Sequence, residues 1–159
     1  MTAADISVHA VREDHFDQWS ELYRGYADYY QVVQTAEMRE RVFSWLLDDA
    51  HPQRGLVAAM GGPSKLVGLA HCRTFSRPLA ASHGLFLDDL FVDPASRGKG
   101  AARILLDRLA SIAAEEGGTV VRWITRAHNY RARFLYDEVA EGTDWITYDM
   151  APAVGGAAR

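Results

Sequence analysis

One cysteine, Cys72, stands in a chain of 159 residues. A single thiol cannot close an internal disulfide, so an apolar core has to hold the fold. This cysteine usage also points to a reducing compartment, the cytoplasm. Long apolar runs are missing as well. No stretch approaches the ~18–20 residues that span a bilayer. The opening MTAADISVHAVRED has no basic patch ahead of an apolar segment, as a secretory signal would. Positive charge is in short supply, with a net charge of −4 and only two lysines among seventeen basic residues, which argues against a nucleic-acid partner. His71, His83 and His128 are scattered without ligand spacing, and no metal site is expected. Repeats, low-complexity tracts and a dividing linker are absent too. One domain is therefore expected over residues 1–150, with APAVGGAAR, residues 151–159, as a flexible tail.

What is present is an ordinary globular composition, 48% hydrophobic and 24% charged, at a length that can bury a core. The charge is unevenly spread. Residues 1–50 hold ten acids against four arginines, while the rest of the chain holds eleven acids against thirteen basic residues. A negative N-terminal third suits a cationic acceptor and a mildly positive remainder suits an anionic cofactor. Solvated helix faces account for the same distribution without either.

Patterning gives an order of elements. Ile6–Val11 alternates as a strand. Glu13–Tyr30 reads as a helix with Phe16, Trp19, Tyr23, Tyr26 and Tyr30 at three- and four-residue spacing. Thr35 is a suitable N-cap for a second helix that ends before Pro52. Leu56–Met60, Gly61-Gly62-Pro63 and Leu66–Thr74 read as strand, turn and strand. Ser76–Gly84 is expected as a loop and Leu85–Val92 as the central strand. A helix follows from Gly100 to about Glu116, closed by Gly117-Gly118. Val120–Thr125 is expected as a buried strand, Asn129–Val139 as a short helix and Trp145–Met150 as a last strand. The sum is an α/β fold, a mixed sheet flanked by helices.

The most informative stretch is Leu85–Ala102, LFLDDLFVDPASRGKGAA. Two consecutive carboxylates, Asp88 and Asp89, sit in an otherwise apolar strand, where burial is costly unless they are paired or hydrogen-bonded. The strand runs into Arg97-Gly98-Lys99-Gly100-Ala101-Ala102 at the start of a helix. Gly98 and Gly100 permit a tight turn and close approach, and Ala101 and Ala102 keep the first helical turn clear. Helix-start amides carry partial positive charge and bind phosphates, and Arg97 can add a bidentate contact. Two nucleotide motifs are excluded: GxxxxGK[ST] is absent, and GxGxxG fails because residue 103 is Arg103. A helix-capping turn is the plain alternative.

These residues resemble the GCN5-related N-acetyltransferases (GNAT), whose [Q/R]-x-x-G-x-[G/A] segment wraps the pyrophosphate of acetyl-coenzyme A. Asn129-Tyr130-Arg131-Ala132-Arg133-Phe134-Leu135-Tyr136 resembles that family's N-x-x-A-x-x-[LF]-Y segment. The Leu-Asp-Asp-Leu-Phe-Val strand and the closing Asp-Trp-Ile-Thr-Tyr are most similar to the polyamine, diamine and yeast histone/D-amino-acid branches. The resemblance implies a mixed, mostly antiparallel sheet and acetyl-coenzyme A as co-substrate. It implies a strand splayed from its neighbour, with backbone groups of Leu90, Phe91 and Val92 free to meet the pantetheine arm. Gly98 to Arg103, Lys99 included, would hold the pyrophosphate. Asn129, Arg131 and Ala132 would line the pantetheine or nucleotide side.

Tyr136 is implied as the general acid that protonates the departing thiolate. Asp88 occupies the position of a base, one methylene shorter than the glutamate of the polyamine branch, which favours a water relay. An electrostatic hold on a cationic acceptor is its alternative role. Strand alternation places Asp88 on the face of Leu90 and Val92, with Asp89 opposite and anchoring a neighbouring loop. Tyr26, Tyr29 and Tyr30, with Asp28 between them, can wall the acceptor side, since aromatic faces attract ammonium groups; core packing is the better explanation of them. Cys72 reads as a small core residue.

The expected activity is acetyl transfer to a primary amine by direct attack in a ternary complex, the amine being a polyamine, diamine or amino acid. A protein lysine or N-terminal acceptor is the alternative within the class, and a non-catalytic acyl-coenzyme A sensor the alternative outside it. The resemblance further suggests a homodimer.

Overall fold

A computed structural model describes residues 5–153, in two compact units that divide between Ile124 and Thr125. The first unit contains a five-stranded sheet in sequence order: β1 (Ile6–Ala10), β2 (Gln53–Met60), β3 (Leu66–Arg77), β4 (Ser82–Val92) and β5 (Val121–Arg122). The first four strands pair antiparallel, and β5 runs parallel to β4. The patterning implies a mixed sheet and the resemblance a mostly antiparallel one, and both are found.

Three helices cover this sheet: α1 (Phe16–Tyr30), α2 (Ala36–Leu47) and α3 (Ala101–Glu115). The side chain of Thr35 caps α2 by accepting from the Met38 amide at 3.2 Å. At the end of α3 the Gly118 amide donates to Ala113 O at 2.7 Å and the Gly117 amide to Ala114 O at 3.1 Å, the paired bonds of a Schellman ending.

The aromatic stripe of α1 is mainly core. Trp19, Leu22 and Phe43 bury with Val11, Val57, Ala59, Leu66, Leu69 and Phe91, and Phe16, Tyr23 and Tyr26 pack around them. Leu105, Leu109 and Ala101 of α3 bury against the opposite face, where a Cβ on Gly68 would meet Val92 and Leu105. Cys72 is fully buried, and that burial pushes its thiol up to about 11, so at neutral pH it is a protonated core residue and no nucleophile.

Several boundaries differ from those the pattern predicts. The expected loop Ser76–Gly84 is mostly strand: β3 extends to Arg77 and β4 begins at Ser82, with Ser76 opposite His83 and Pro78–Ala80 as the turn. Cross-strand pairing over this hairpin outweighs the local breaker Pro78. β4 is next to the edge, and β3 holds the centre. The expected buried strand Val120–Thr125 contracts to Val121–Arg122, which is only partly covered. Its entry depends on Gly84, where a Cβ would lie 2.6 Å from Val120 O.

In the second unit α4 (Tyr130–Val139) forms as expected, opened by the bond from the Arg133 amide to Asn129 O at 3.0 Å. The expected strand Trp145–Met150 is not formed: residues 141–153 have no regular structure, and Trp145, Ile146, Tyr148 and Met150 are exposed. High β-propensity has no effect without a partner strand to receive the backbone bonds. Of the expected tail, Ala151–Ala153 is exposed and irregular, and residues 154–159 lie outside the described residues.

Candidate active site

The bulge in β4 governs the two carboxylates. His71 pairs with Asp89 but Cys72 pairs with Leu87, so Asp88 is an extra residue in β4. Its carboxylate accepts from Gln53 Nε2 at 3.0 Å and pairs with Arg73 Nε at 3.2 Å. Asp89 accepts from His71 Nδ1 at 2.8 Å and from the Tyr23 hydroxyl at 3.0 Å. Tyr23 lies on α1, and His71 and Arg73 alternate on one side of β3. Both acids therefore point to the α1 side of the sheet. This corrects the alternation argument: Asp88 does not share a face with Val92, and Asp89 anchors to a strand and a helix instead of a loop. One extra residue shifts the period of two by one step.

Below the bulge, β4 is paired on one edge only among the described residues. Leu90, Phe91 and Val92 pair with Ala70, Leu69 and Gly68 of β3, whereas the pairing with β5 covers Leu85 and Phe86 alone. The other edge of Leu90–Val92 is thus turned toward the opening between β4 and β5, as the resemblance implies. One correction applies: the Val92 carbonyl accepts from Arg97 Nε at 3.0 Å, so it is not wholly free. The Arg97 guanidinium also lies over the rings of Tyr29 and Phe91, at 5.7 and 5.5 Å. Arg97 braces the loop against β4 and α1, leaving its terminal nitrogens as the atoms available to an anion.

The loop after β4 turns through Pro94–Ser96 into Gly98, Lys99 and Gly100. Gly98 and Gly100 hold φ of +77° and +93°, with open space where a Cβ would stand. The first helical bond of α3 runs from the Ile104 amide to Gly100 O at 3.0 Å. The amides of Ala101 and Ala102 precede it at the positive helix end, where no intrahelical acceptor exists. An open, side-chain-free cradle at a 15-residue helix fits a pyrophosphate.

Tyr26 packs against Tyr23, Tyr30 and Phe91, with ring centroids 5.0–6.2 Å away, while Tyr29 is exposed and edge-on to Tyr30. Asp28 is exposed on the outer side of α1. Asn129, Arg131, Ala132 and Tyr136 belong to the second unit. There Asn129 Nδ2 donates to Thr125 Oγ1 at 3.1 Å, Ala132 and Tyr136 are half-buried on α4, and Arg131 is exposed.

The sequence reading does not single out His71, Tyr23, Arg73 or Gln53. A histidine directly preceding a cysteine, on the strand just before the acidic pair, is the one available signal. No helix among the described residues is long and apolar enough to cross a membrane.

The mixed sheet, with a one-edged β4 that runs through a glycine turn into α3, has the architecture of an acyltransferase fold. The chain belongs to the Acetyltransferase (GNAT) family, which matches residues 19–140, and is an N-acetyltransferase that takes its acetyl group from acetyl-coenzyme A. It is 28% identical over 143 residues to the D-amino-acid N-acetyltransferase HPA3 of Saccharomyces cerevisiae, covering 90% of this chain and 89% of that protein. It is also 26% identical over 129 residues to the N-acetyltransferase YhfO of Bacillus subtilis, covering 80% of this chain and 85% of that one. Among solved structures, the aminoglycoside N-acetyltransferase AAC(6')-Iy in complex with CoA shares the fold with a TM-score of 0.80 at 15% identity, covering 94% of this chain and 97% of that one.

Proposed function

We propose that this enzyme acetylates the primary amine of a small cationic molecule, a polyamine, diamine or amino acid, by direct attack on acetyl-coenzyme A. The observation that carries this reading is the pair of carboxylates brought to one face of the sheet by the β4 bulge, beside the open edge of Leu90–Val92. The likeness to a protein named for D-amino acids supports an amino acid among the acceptors.

The residues divide the work as follows. Gly98, Lys99, Gly100, Ala101, Ala102 and Arg103 hold the pyrophosphate, and Asn129, Arg131 and Ala132 line the rest of the coenzyme. Amines of this kind have pKa values near ~10 and are mostly protonated at neutral pH, so nitrogen must lose a proton before its lone pair attacks the thioester carbon. Asp88, tethered by Arg73 and Gln53, accepts that proton through water. A backbone amide of Leu90–Val92 stabilises the developing oxyanion, a contribution of ~3–4 kcal/mol where such donors have been removed. As the carbon–sulfur bond breaks, the thiolate takes the phenolic proton of Tyr136.

The test is thiol release from acetyl-coenzyme A with polyamines, diamines, L- and D-amino acids, aminoglycosides and a lysine peptide. Turnover concentrated on one class of small amine, lowered ~100-fold in Tyr136→Phe, is the expected result. Turnover confined to the lysine peptide favours a protein acceptor, and coenzyme binding without any turnover favours a sensor.

The same reading makes the enzyme a homodimer in the cytoplasm. The exposed Trp145, Ile146, Tyr148 and Met150 supply an apolar surface of the kind a second copy covers. Light scattering should return twice the chain mass of 17.7 kDa, and a monomer at micromolar concentration counts against it.

A further inference from the structure

Asp88 and Asp89 share a face but have opposite electrostatic surroundings. Asp88 has a cation: Arg73 Nε lies 3.3 Å from Oδ1 and 3.2 Å from Oδ2, with Gln53 beside it. Asp89 has none. Its two partners, His71 and Tyr23, both reach Oδ2, and both are neutral donors.

That His71 is neutral follows from Trp19. An indole N–H can only donate, and it lies 2.9 Å from His71 Nε2, which therefore carries no proton. The imidazole is 1% exposed, so its single proton sits on Nδ1 and points at Asp89 Oδ2. Tyr23, whose phenol is pushed well up by burial and then by the adjacent Asp89 charge, keeps its proton and donates to the same oxygen. Oδ2 is thereby filled, and no bond reaches Oδ1 among the described residues. The Asp89 side chain is 21% exposed, enough to meet a ligand atom. The rings of Tyr23, Tyr26 and Phe91 line the same face.

A mostly buried carboxylate without a cation is costly unless something supplies the missing charge. We infer that the acceptor's ammonium group is held at Asp89 Oδ1, with Trp19 and His71 as the positioning pair that aims this oxygen; this rests on the amine-acetyltransferase reading above. His71 is no proton carrier, because a second ring proton would break the bond from Trp19. The two acids thus have separate tasks: Asp89 seats the cation, and Asp88 receives the proton that leaves it.

The test is steady-state kinetics of the wild type, Asp89→Asn, His71→Leu and His71→Gln with the best amine of the panel. Hydrogen bonds to charged groups imply an acceptor KM about 30-fold higher in Asp89→Asn, with the acetyl-coenzyme A KM within about twofold of wild type. His71→Leu should raise the acceptor KM about tenfold. His71→Gln should recover most of it, since one amide can accept from Trp19 and donate to Asp89. An unchanged acceptor KM in Asp89→Asn, or equal rises in both KM values, overturns the inference while leaving the acetyltransferase reading intact. Should His71→Leu fail to fold, Asp89→Asn and His71→Gln decide.

Absence of wild-type turnover on every amine sinks the parent reading instead. Calorimetric titration with spermidine and D-alanine then tests the seat alone. Amine binding that is lost in Asp89→Asn sustains it, and amine binding that persists there, or no binding to the wild type, overturns it.

Discussion

Gly100→Val should lower the affinity for acetyl-coenzyme A at least ~100-fold, equivalent to ~2.7 kcal/mol, with the circular dichroism spectrum unchanged. The cause is backbone geometry and nothing else. Gly100 sits at φ +93°, ψ −2° at the N-cap of α3, with no atom near the position of a Cβ. A valine meets no steric obstacle there, but a β-branched residue at positive φ is a strained outlier. The chain relieves that strain by turning the peptide, which carries the cradle amides away from the phosphate. Gly100→Ala should lose less, because its strain is smaller. Isothermal titration of the coenzyme measures both. Wild-type affinity in Gly100→Val would show that the pyrophosphate is held elsewhere.

The largest stability effect is expected at Trp19. This side chain is fully buried, within 4.9–6.5 Å of the rings of Phe16, Tyr23, Phe43 and His71. Trp19→Ala should cost about 3–5 kcal/mol through cavity formation alone. It also leaves His71 Nε2 buried without a donor, a further penalty of about 1–3 kcal/mol. Domains of this size are stable by about 5–15 kcal/mol, so the variant should unfold at far lower urea or fail to fold at room temperature. Trp19→Phe fills most of the space but still strands Nε2, and should fall between the two. Urea unfolding followed by circular dichroism reads the series; a loss below ~1 kcal/mol for Trp19→Ala would mean that the site repacks around the gap.

Both predictions rest on features of different legibility. The glycine cradle was readable because its signal is local: glycines at a helix start, after an apolar strand, carry their own conformational meaning. The α1 stripe was readable as a helix face through its spacing, and Thr35 as a cap through its chemistry. Trp19 could be placed in the core, but its hydrogen bond could not, since His71 lies 52 residues away. The β3–β4 hairpin was misplaced because Pro78 and Ser82 look like loop residues until their strands are paired. Trp145–Met150 shows the converse, strand-forming residues that form no strand.

The sequence by itself determined the fold class, the order of elements from β1 to α4 and the strand–loop–helix stretch that carries the glycine cradle. Each depends on periodicity or backbone preference within a few residues. Only the tertiary structure decided how the acidic pair is used. The bulge between Asp88 and its β3 partners turns both carboxylates to one face, and which of them keeps an unanswered charge depends on Gln53, His71, Arg73 and Tyr23, drawn from three other elements. Register and charge pairing across distant segments exist only once the sheet has formed, so no local pattern encodes them.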